Sequence, residues 1–226
     1  MSARGGQVSA PPVVPEGPLD AGAVLELYER TGGLRRGHFV LTSGRHADLY
    51  IQSAVVLQWP AVAGALGRAL AAPWHGEVDV VVGPAMGGVV IGHEVARALG
   101  VRMVFTERSA QGSGGPQRGA PVGRGAMALR RSFEVGAGER ALIVENVVTT
   151  GGSALEVAEL LHGSGAAVAG LATIVDRLPA GATLPLLYRA LARVDAAAWV
   201  PEECPVCQAG TEPESPGSRG LVDRAK

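Results

Sequence analysis

The chain has 226 residues, of which 18% are charged and 47% hydrophobic, with 33 glycines and a net charge of −1. That length accommodates one domain with a well-buried core, and the composition is that of a globular α/β protein and not a disordered one. The near-neutral charge excludes a nucleic-acid surface built on bulk positive charge. Nineteen of the twenty basic residues are arginine and the only lysine is Lys226. Chemistry that needs a lysine is therefore excluded unless the carboxyl-terminal tail reaches the site. No apolar run approaches the ~20 residues of a membrane span, and the first twenty residues lack a basic start followed by an apolar stretch. A soluble, cytoplasmic protein without membrane or nucleic-acid partners is expected.

In chain order, residues 1–18 are rich in glycine and proline and read as a disordered tail. Asp20 caps a helix whose apolar face includes Val24, Leu25, Leu27 and Tyr28 and which ends near Gly32 and Gly33. His38–Leu41 and Leu49–Gln52 read as short strands around the turn Thr42-Ser43-Gly44-Arg45, and Pro60–Leu70 as a helix with proline in its first turn. A repeating pattern follows: strand Val78–Val82, the turn Gly83-Pro84-Ala85-Met86-Gly87-Gly88, helix Val89–Leu99, and strands at Arg102–Thr106, Ala141–Val144 and Leu171–Val175. Strands alternating with helices imply a doubly wound parallel sheet, whose ligands gather at the strand carboxyl ends. Between Ser109 and Ala126 six glycines and two prolines leave almost no apolar side chain, which reads as a mobile active-site lid. Residues 209–226 read as a second disordered tail, leaving 19–208 as the domain.

The most informative stretch is Ala141–Ser153. Leu142, Ile143 and Val144 form a buried strand, Glu145 and Asn146 stand at its carboxyl end, and Val147, Val148, Thr149, Thr150, Gly151, Gly152 and Ser153 lead into the helix Ala154–Leu161. Small residues, hydroxyls and free N–H groups at a helix start suit a phosphate. These thirteen residues resemble the signature of type I phosphoribosyltransferases. In that family two acidic residues hold the ribose hydroxyls and the Thr-Thr-Gly turn cradles the 5-phosphate. Further segments narrow the resemblance to the orotate phosphoribosyltransferases. The run from His38 to His46 with Tyr50 resembles their base-site hood, Gly83–Gly88 their pyrophosphate loop, Phe105–Arg108 the start of their catalytic loop, and Ile174–Arg177 the strand ending in the arginine that reads the orotate carboxylate.

The resemblance implies transfer of ribose 5-phosphate from phosphoribosyl pyrophosphate to orotate with Mg²⁺ as cofactor, in a homodimer. It implies catalytic roles for Arg108, Glu145 and Asn146. It also implies substrate binding by Glu145, Asn146, Val147, Val148, Thr149, Thr150, Gly151, Gly152, Ser153, Arg177, Met86 and Gly87. A guanidinium fork at Arg177 matches a carboxylate in two parallel hydrogen bonds, while pairing of Arg177 with Asp176 or Glu203 is the alternative.

The chain departs from the family in two ways. Asn146 stands where a second acid is usual. Where many relatives carry lysines in the hood, the pyrophosphate loop and the lid, this chain has Thr42, Gly87 and no lysine, leaving Arg118, Arg124, Arg130 or Arg131 to supply charge. A phosphoribosyl-pyrophosphate-binding regulator of weak or no turnover is thus the second reading. A purine phosphoribosyltransferase is disfavoured because Arg177 would face no carboxylate. Cys204 and Cys207 form a lone Cys-x-x-Cys. Two thiolates cannot complete a four-ligand zinc site within one chain, although two copies could supply four, so a reduced or reversibly oxidised pair is expected and no metal ligand is assigned.

Overall fold

The computed structural model describes residues 12–41, 43–109, 125–195 and 197–216. The first helix, α1 (Ala21–Thr31), starts where Asp20 accepts a hydrogen bond from the Ala23 N–H at 2.8 Å and stops at Gly32, whose φ of 76° closes the left-handed cap. A hairpin of β1 (Leu34–Val40) and β2 (His46–Ile51) follows, then α2 (Ser53–Leu57) and α3 (Pro60–Ala71). The wound core comprises β3 (Val80–Pro84), α4 (Gly87–Leu99), β4 (Arg102–Arg108), β5 (Met127–Leu129), β6 (Arg140–Val148), α5 (Gly152–Gly163), β7 (Ala167–Asp176) and β8 (Tyr188–Arg193). The chain ends in β9 (Ala198–Trp199) and the short α6 (Pro205–Gln208).

The main sheet has the order β5-β4-β3-β6-β7-β8, parallel except for the antiparallel edge strand β5. Its central strands are buried on both faces, as a doubly wound sheet requires. Val81, Leu142, Val144 and Ile174 point to the face covered by α1, α3 and α4, where Val24, Leu27, Leu66, Ile91 and Val95 meet them. Val80, Val82, Ile143 and Leu171 point to the opposite face, onto Val157 and Leu161 of α5. The near-continuous apolar runs in these strands follow from this two-sided burial. A smaller antiparallel sheet, β1-β2-β9, forms the hood.

The strand order reverses at β3, which has β4 on one side and β6 on the other. The crevice outside the carboxyl ends of β3 and β6 is therefore the topological switch point, where doubly wound sheets bind ligands. Glycine makes the close packing there possible. A Cβ on Gly88 would strike the Val144 carbonyl oxygen and come within 3.0 Å of the Gly83 Cα. One on Gly83 would lie 2.6 Å from the Gly88 carbonyl oxygen.

Several elements differ from the sequence expectation. β1 begins at Leu34, four residues early, because Arg35, Arg36 and Gly37 are exposed on the hood's outer strand, where polar residues are admissible. β6 continues past Val144 to Val148, with Glu145, Val147 and Val148 opposite Thr173, Val175 and Asp176 of β7. Part of each expected tail is held in place. Val14 packs against the core. In the stretch 209–216, Glu214 exchanges backbone hydrogen bonds with β1, to the His38 carbonyl at 2.7 Å and from the Val40 N–H at 2.8 Å. Most of the expected lid, residues 110–124, lies outside the described residues, as do 1–11 and 217–226.

Replacing Gly88 by alanine should force β3 and β6 apart at the switch point. We expect a loss of at least ~2 kcal/mol in unfolding free energy by urea titration, typical of overpacking against backbone. A Gly44→Ala control should cost less, since Gly44 has φ 79° but open space around its Cβ position.

Candidate active site

Three walls meet at the switch point. The first is the loop after β3, Gly83–Gly88, in which the Ala85–Met86 peptide is cis. Met86 is 82% exposed beside it. A cavity of about 340 Å³ opens here, lined by Met86, Gly87, Val90 and Asn146 on the core side and by Gln52, Ala54, Leu57 and Gln58 from the region of α2. Gly87 and Asn146 are matched in shape, because a Cβ at position 87 would approach the Asn146 Oδ1 to 2.7 Å. A side chain at 87, such as the lysine of many relatives, is therefore incompatible with this Asn146 rotamer.

The second wall is the end of β6. The Asn146 Oδ1 accepts the Val147 N–H at 2.7 Å, which fixes the amide against Gly87. Glu145 is half-buried, and desolvation pushes its carboxyl up to about 7, opposed by one backbone hydrogen bond from Asn146. No ion pair or side-chain hydrogen bond to Glu145 occurs among the described residues. The site thus holds a carboxylate poised to ionise when a cation arrives.

The third wall is the turn Val147–Ser153, which with Glu145 and Ala154 encloses a smaller pocket of about 60 Å³. Gly151 caps α5 with φ 76° and has no room for a side chain, since a Cβ would meet Leu184. The first turn of α5 contains no acidic residue and no side-chain cap, so its N–H groups are available to an anion. Thr149 and Thr150 are exposed at its mouth.

Arg177 follows β7, and its backbone N–H is bonded to the Val148 carbonyl at 2.8 Å, which places it beside the end of β6. Its Nε is buried with no hydrogen-bond partner, and burial lowers the guanidinium's affinity for its proton. Pairing with Asp176 or Glu203 is not seen. Asp176 is taken by Arg193 at 2.8 Å and by the Leu178 N–H at 2.8 Å. Glu203 has no ion pair among the described residues.

Arg108 is placed differently from the other expected residues. Its guanidinium makes a two-pronged ion pair with Glu156 of α5, at 2.8 and 3.0 Å, and donates to the Gly125 carbonyl at 3.2 Å. The Ser109 N–H meets the Ala126 carbonyl at 2.9 Å. Arg108 therefore clamps the stem of the 110–124 segment to α5. Of the arginines expected to replace the lid lysines, Arg131 is bound to Glu107 and lies over the Phe105 ring. Arg118 and Arg124 lie outside the described residues, as does Thr42.

The profile of the phosphoribosyl transferase domain family matches residues 56–194. The orotate phosphoribosyltransferase of Pelotomaculum thermopropionicum is 44% identical over 199 residues, spanning 88% of this chain and 97% of its own. That of Caldanaerobacter subterraneus subsp. tengcongensis is 41% identical with the same coverage. The chain belongs to the orotate phosphoribosyltransferase family. Among solved structures it resembles the Mycobacterium tuberculosis H37Rv orotate phosphoribosyltransferase, with a TM-score of 0.58 and 26% identity over 76% of this chain and 96% of that one. The fold is also that of the Aeropyrum pernix orotate phosphoribosyltransferase, with a TM-score of 0.61 at 24% identity, covering 76% and 93% of the two chains.

Two features of this family member escaped the sequence. Gln52 and Gln58 line the larger cavity; Gln52 reads in the sequence only as the end of a strand, and no helix is expected there at Ser53–Leu57. The expectation for Cys204 and Cys207 requires correction. They are not an isolated pair, because β1 and β2 bring His38 and His46 to them, and the four ligand atoms lie within 4.8 Å of one another. The histidines were read only as part of the hood motif, and nothing local ties them to cysteines more than 150 residues away.

The raised Glu145 has a stability consequence. In the unfolded chain the carboxyl ionises near its ordinary value, while in the folded protein it stays protonated to about 7. Folding therefore loses stability as pH rises from about 4.5 to 7, by an amount on the order of 2–3 kcal/mol, and the penalty is constant above. Glu145→Gln should consequently be more stable than the unsubstituted protein at pH 8 by ~1–2 kcal/mol and lose that advantage near pH 4.5, as read by urea unfolding at the two pH values.

Proposed function

We propose that the protein transfers ribose 5-phosphate from phosphoribosyl pyrophosphate to N1 of orotate, releasing pyrophosphate and forming orotidine 5′-phosphate. The observation that carries this reading is the buried, unpartnered Nε of Arg177 next to the ribose-phosphate turn. A half-buried guanidinium whose Nε is shut off from solvent without an internal partner suits an anionic ligand, and orotate is the pyrimidine that brings a carboxylate.

The walls divide the work. The turn Thr149–Ser153 and the α5 N-terminus receive the 5-phosphate, Glu145 and Asn146 orient the ribose hydroxyls, and Met86 and Gly87 border the pyrophosphate space. The bond from the anomeric carbon to the pyrophosphate lengthens before the N1 bond forms, so the ribose becomes cationic. Ionised Glu145 stabilises that charge from a site of low polarity, where the interaction is strongest. Asn146 holds a hydroxyl without contributing charge. Arg108 serves as a positioning residue that sets the stem of the lid through Glu156.

The donor set also fits Mg²⁺. The loop Gly83–Gly88 offers no ligating side chain, whereas Glu145 and Asn146 at the end of β6 carry side-chain oxygens and line the two pockets. Glu145 and Asn146 would hold Mg²⁺, which would supply neutralisation of the leaving group. The protein is assigned to the cytoplasm, and it works as a homodimer on this reading. The exposed apolar pair Met86 and Val90 at the cavity rim is what a partner subunit would cover.

Two substitutions test the assignment. Arg177→Ala should weaken orotate binding at least tenfold, about 1.4 kcal/mol, and phosphoribosyl pyrophosphate binding far less, by calorimetric titration of each ligand. Equal losses for the two ligands would refute the carboxylate role. Asn146→Asp should raise kcat several-fold, up to roughly tenfold, with little change in phosphoribosyl pyrophosphate affinity, because the added charge acts mainly when the ribose is cationic. Steady-state kinetics decide between outcomes. Absence of turnover in both proteins would favour the regulator that binds phosphoribosyl pyrophosphate, the reading that Asn146 itself suggests.

A further inference from the structure

We propose that His38, His46, Cys204 and Cys207 form a structural Zn²⁺ site that fastens the carboxyl-terminal segment to the hood hairpin. The ligands come from three elements. His38 lies on β1 and His46 on β2, while Cys204 and Cys207 bracket the start of α6. His38 and His46 are 3% and 8% exposed, Cys204 is fully buried and Cys207 is half-buried. The site shares no residue with the walls of the switch point, and it stands independently of the reaction assigned there.

The three N···S distances around His38 and Cys207 are close to the edges of a tetrahedron around a small cation, within a cluster whose ligand atoms all lie within 4.8 Å of one another. With Zn–N near 2.0–2.1 Å and Zn–S near 2.3 Å, a tetrahedral site has N···S edges of about 3.5 Å and an N···N edge of about 3.3 Å. The structure has His38 Nε2 at 3.5 Å from the sulfur of each cysteine and His46 Nδ1 at 3.2 Å from the Cys207 sulfur. The two ring nitrogens are 2.8 Å apart, shorter than the metal-bound edge.

Protonation separates this arrangement from a set of hydrogen bonds. His38 Nδ1 lies 2.7 Å from the Thr211 carbonyl oxygen, which can only accept, so in the neutral ring the proton is on Nδ1 and Nε2 presents its lone pair to the cluster. Fixing a histidine through its remote N–H to a backbone carbonyl is the usual support of a metal ligand. That single lone pair is approached by His46 and by both thiols. It can accept one good hydrogen bond, whereas a cation at the centre is met by four lone pairs at once. Two thiolates and two imidazoles select Zn²⁺ over Mg²⁺ or Ca²⁺, and four protein ligands leave no open position for substrate.

The segment being fastened has hydrogen bonds to the hairpin but little apolar burial to hold it. Between 197 and 216 Cys204 is the one buried residue among those described, and α6 is four residues long. A metal cross-link supplies what apolar burial does not in so small an element.

The test uses the full chain, expressed with zinc supplementation and kept reduced. Elemental analysis should find about one zinc per chain, and replacement by Co²⁺ should give the intense visible d–d bands of a tetrahedral site together with a thiolate-to-cobalt charge-transfer band. Cys207→Ser and His46→Asn should each reduce bound zinc at least tenfold, and chelation should lower the melting temperature of the unsubstituted protein but not of the variants. Should a variant fail to fold, the cobalt spectrum of the unsubstituted protein decides. Octahedral cobalt bands, binding of added Zn²⁺ weaker than about 10 µM, or full zinc content in Cys207→Ser would overturn the proposal.

Discussion

The Val144 carbonyl oxygen sets the geometry on which the rest of the site depends. It faces Gly88 so closely that any side chain there would displace it, and Gly88 in turn abuts Gly83. Because Gly83 and Gly88 carry no side chains, the backbone at this corner of β3 and α4 can lie directly on β6. The same approach pushes Gly87 against Asn146. A side chain at position 87 therefore requires the one at position 146 to move. Asn146 and Gly87, the two positions at which the resemblance implies an acid and a lysine, are two sides of one contact. A chain with lysine at 87 would need a different rotamer at 146, and the charge pattern of the crevice would change with it.

Charge in this molecule is sorted by the sheet. At the amino ends of the strands the ions are paired: Arg140 with Asp79, and Arg102 with Glu139, all near the surface. The Arg140 guanidinium holds the Asp79 carboxyl down at about 2. Exposed pairs of this kind contribute little each. At the carboxyl ends pairs also occur, Arg108 with Glu156 and Arg193 with Asp176, but two groups at the ends of β6 and β7 stand outside them. Glu145 is desolvated and unpaired, and the Nε of Arg177 is buried without a partner. Desolvated ionisable groups without a protein partner are what a ligand site leaves in a ligand-free fold, and these two lie at the ends of adjacent strands.

The wound core was legible because its strands are apolar on both faces. Val80–Val82, Leu142–Val144 and Leu171–Val175 read as strands without any knowledge of their neighbours. The ribose-phosphate turn was legible for a different reason: its backbone demands glycine at 151, and its chemistry demands the hydroxyls beside it. Elements that depend on partners were not legible. The outer half of β1 is polar, β5 has three residues and β9 two, and each is defined by the strand it pairs with. Glu145–Val148 read as a strand end because polar residues interrupt the apolar run, yet main-chain pairing to β7 carries the strand through them. Arg108 matched a family motif in sequence, but its ion pair with Glu156 is a tertiary fact that no spacing could reveal.

The hood adds a second layer to this logic. The matched domain runs from 56 to 194, so both the hairpin Leu34–Ile51 and the segment Ala198–Pro216 lie outside it. These two flanks, from opposite ends of the chain, build one sheet. Arg45, in the turn of the hairpin, donates to the Ala198 carbonyl at 2.5 and 3.2 Å, and Glu214 continues the contact along β1. Few apolar side chains are available to drive that union, so it rests on directional bonds and on the His–Cys cluster at its centre. The crevice that carries the chemistry belongs to the shared domain. The turn Ser43-Gly44-Arg45, by resemblance the cover of the base, belongs to the flanks. Its position is therefore tied, through Arg45 and the Ala198 carbonyl, to a segment outside the matched domain, so the hood turn is held by contacts that the shared domain does not itself make.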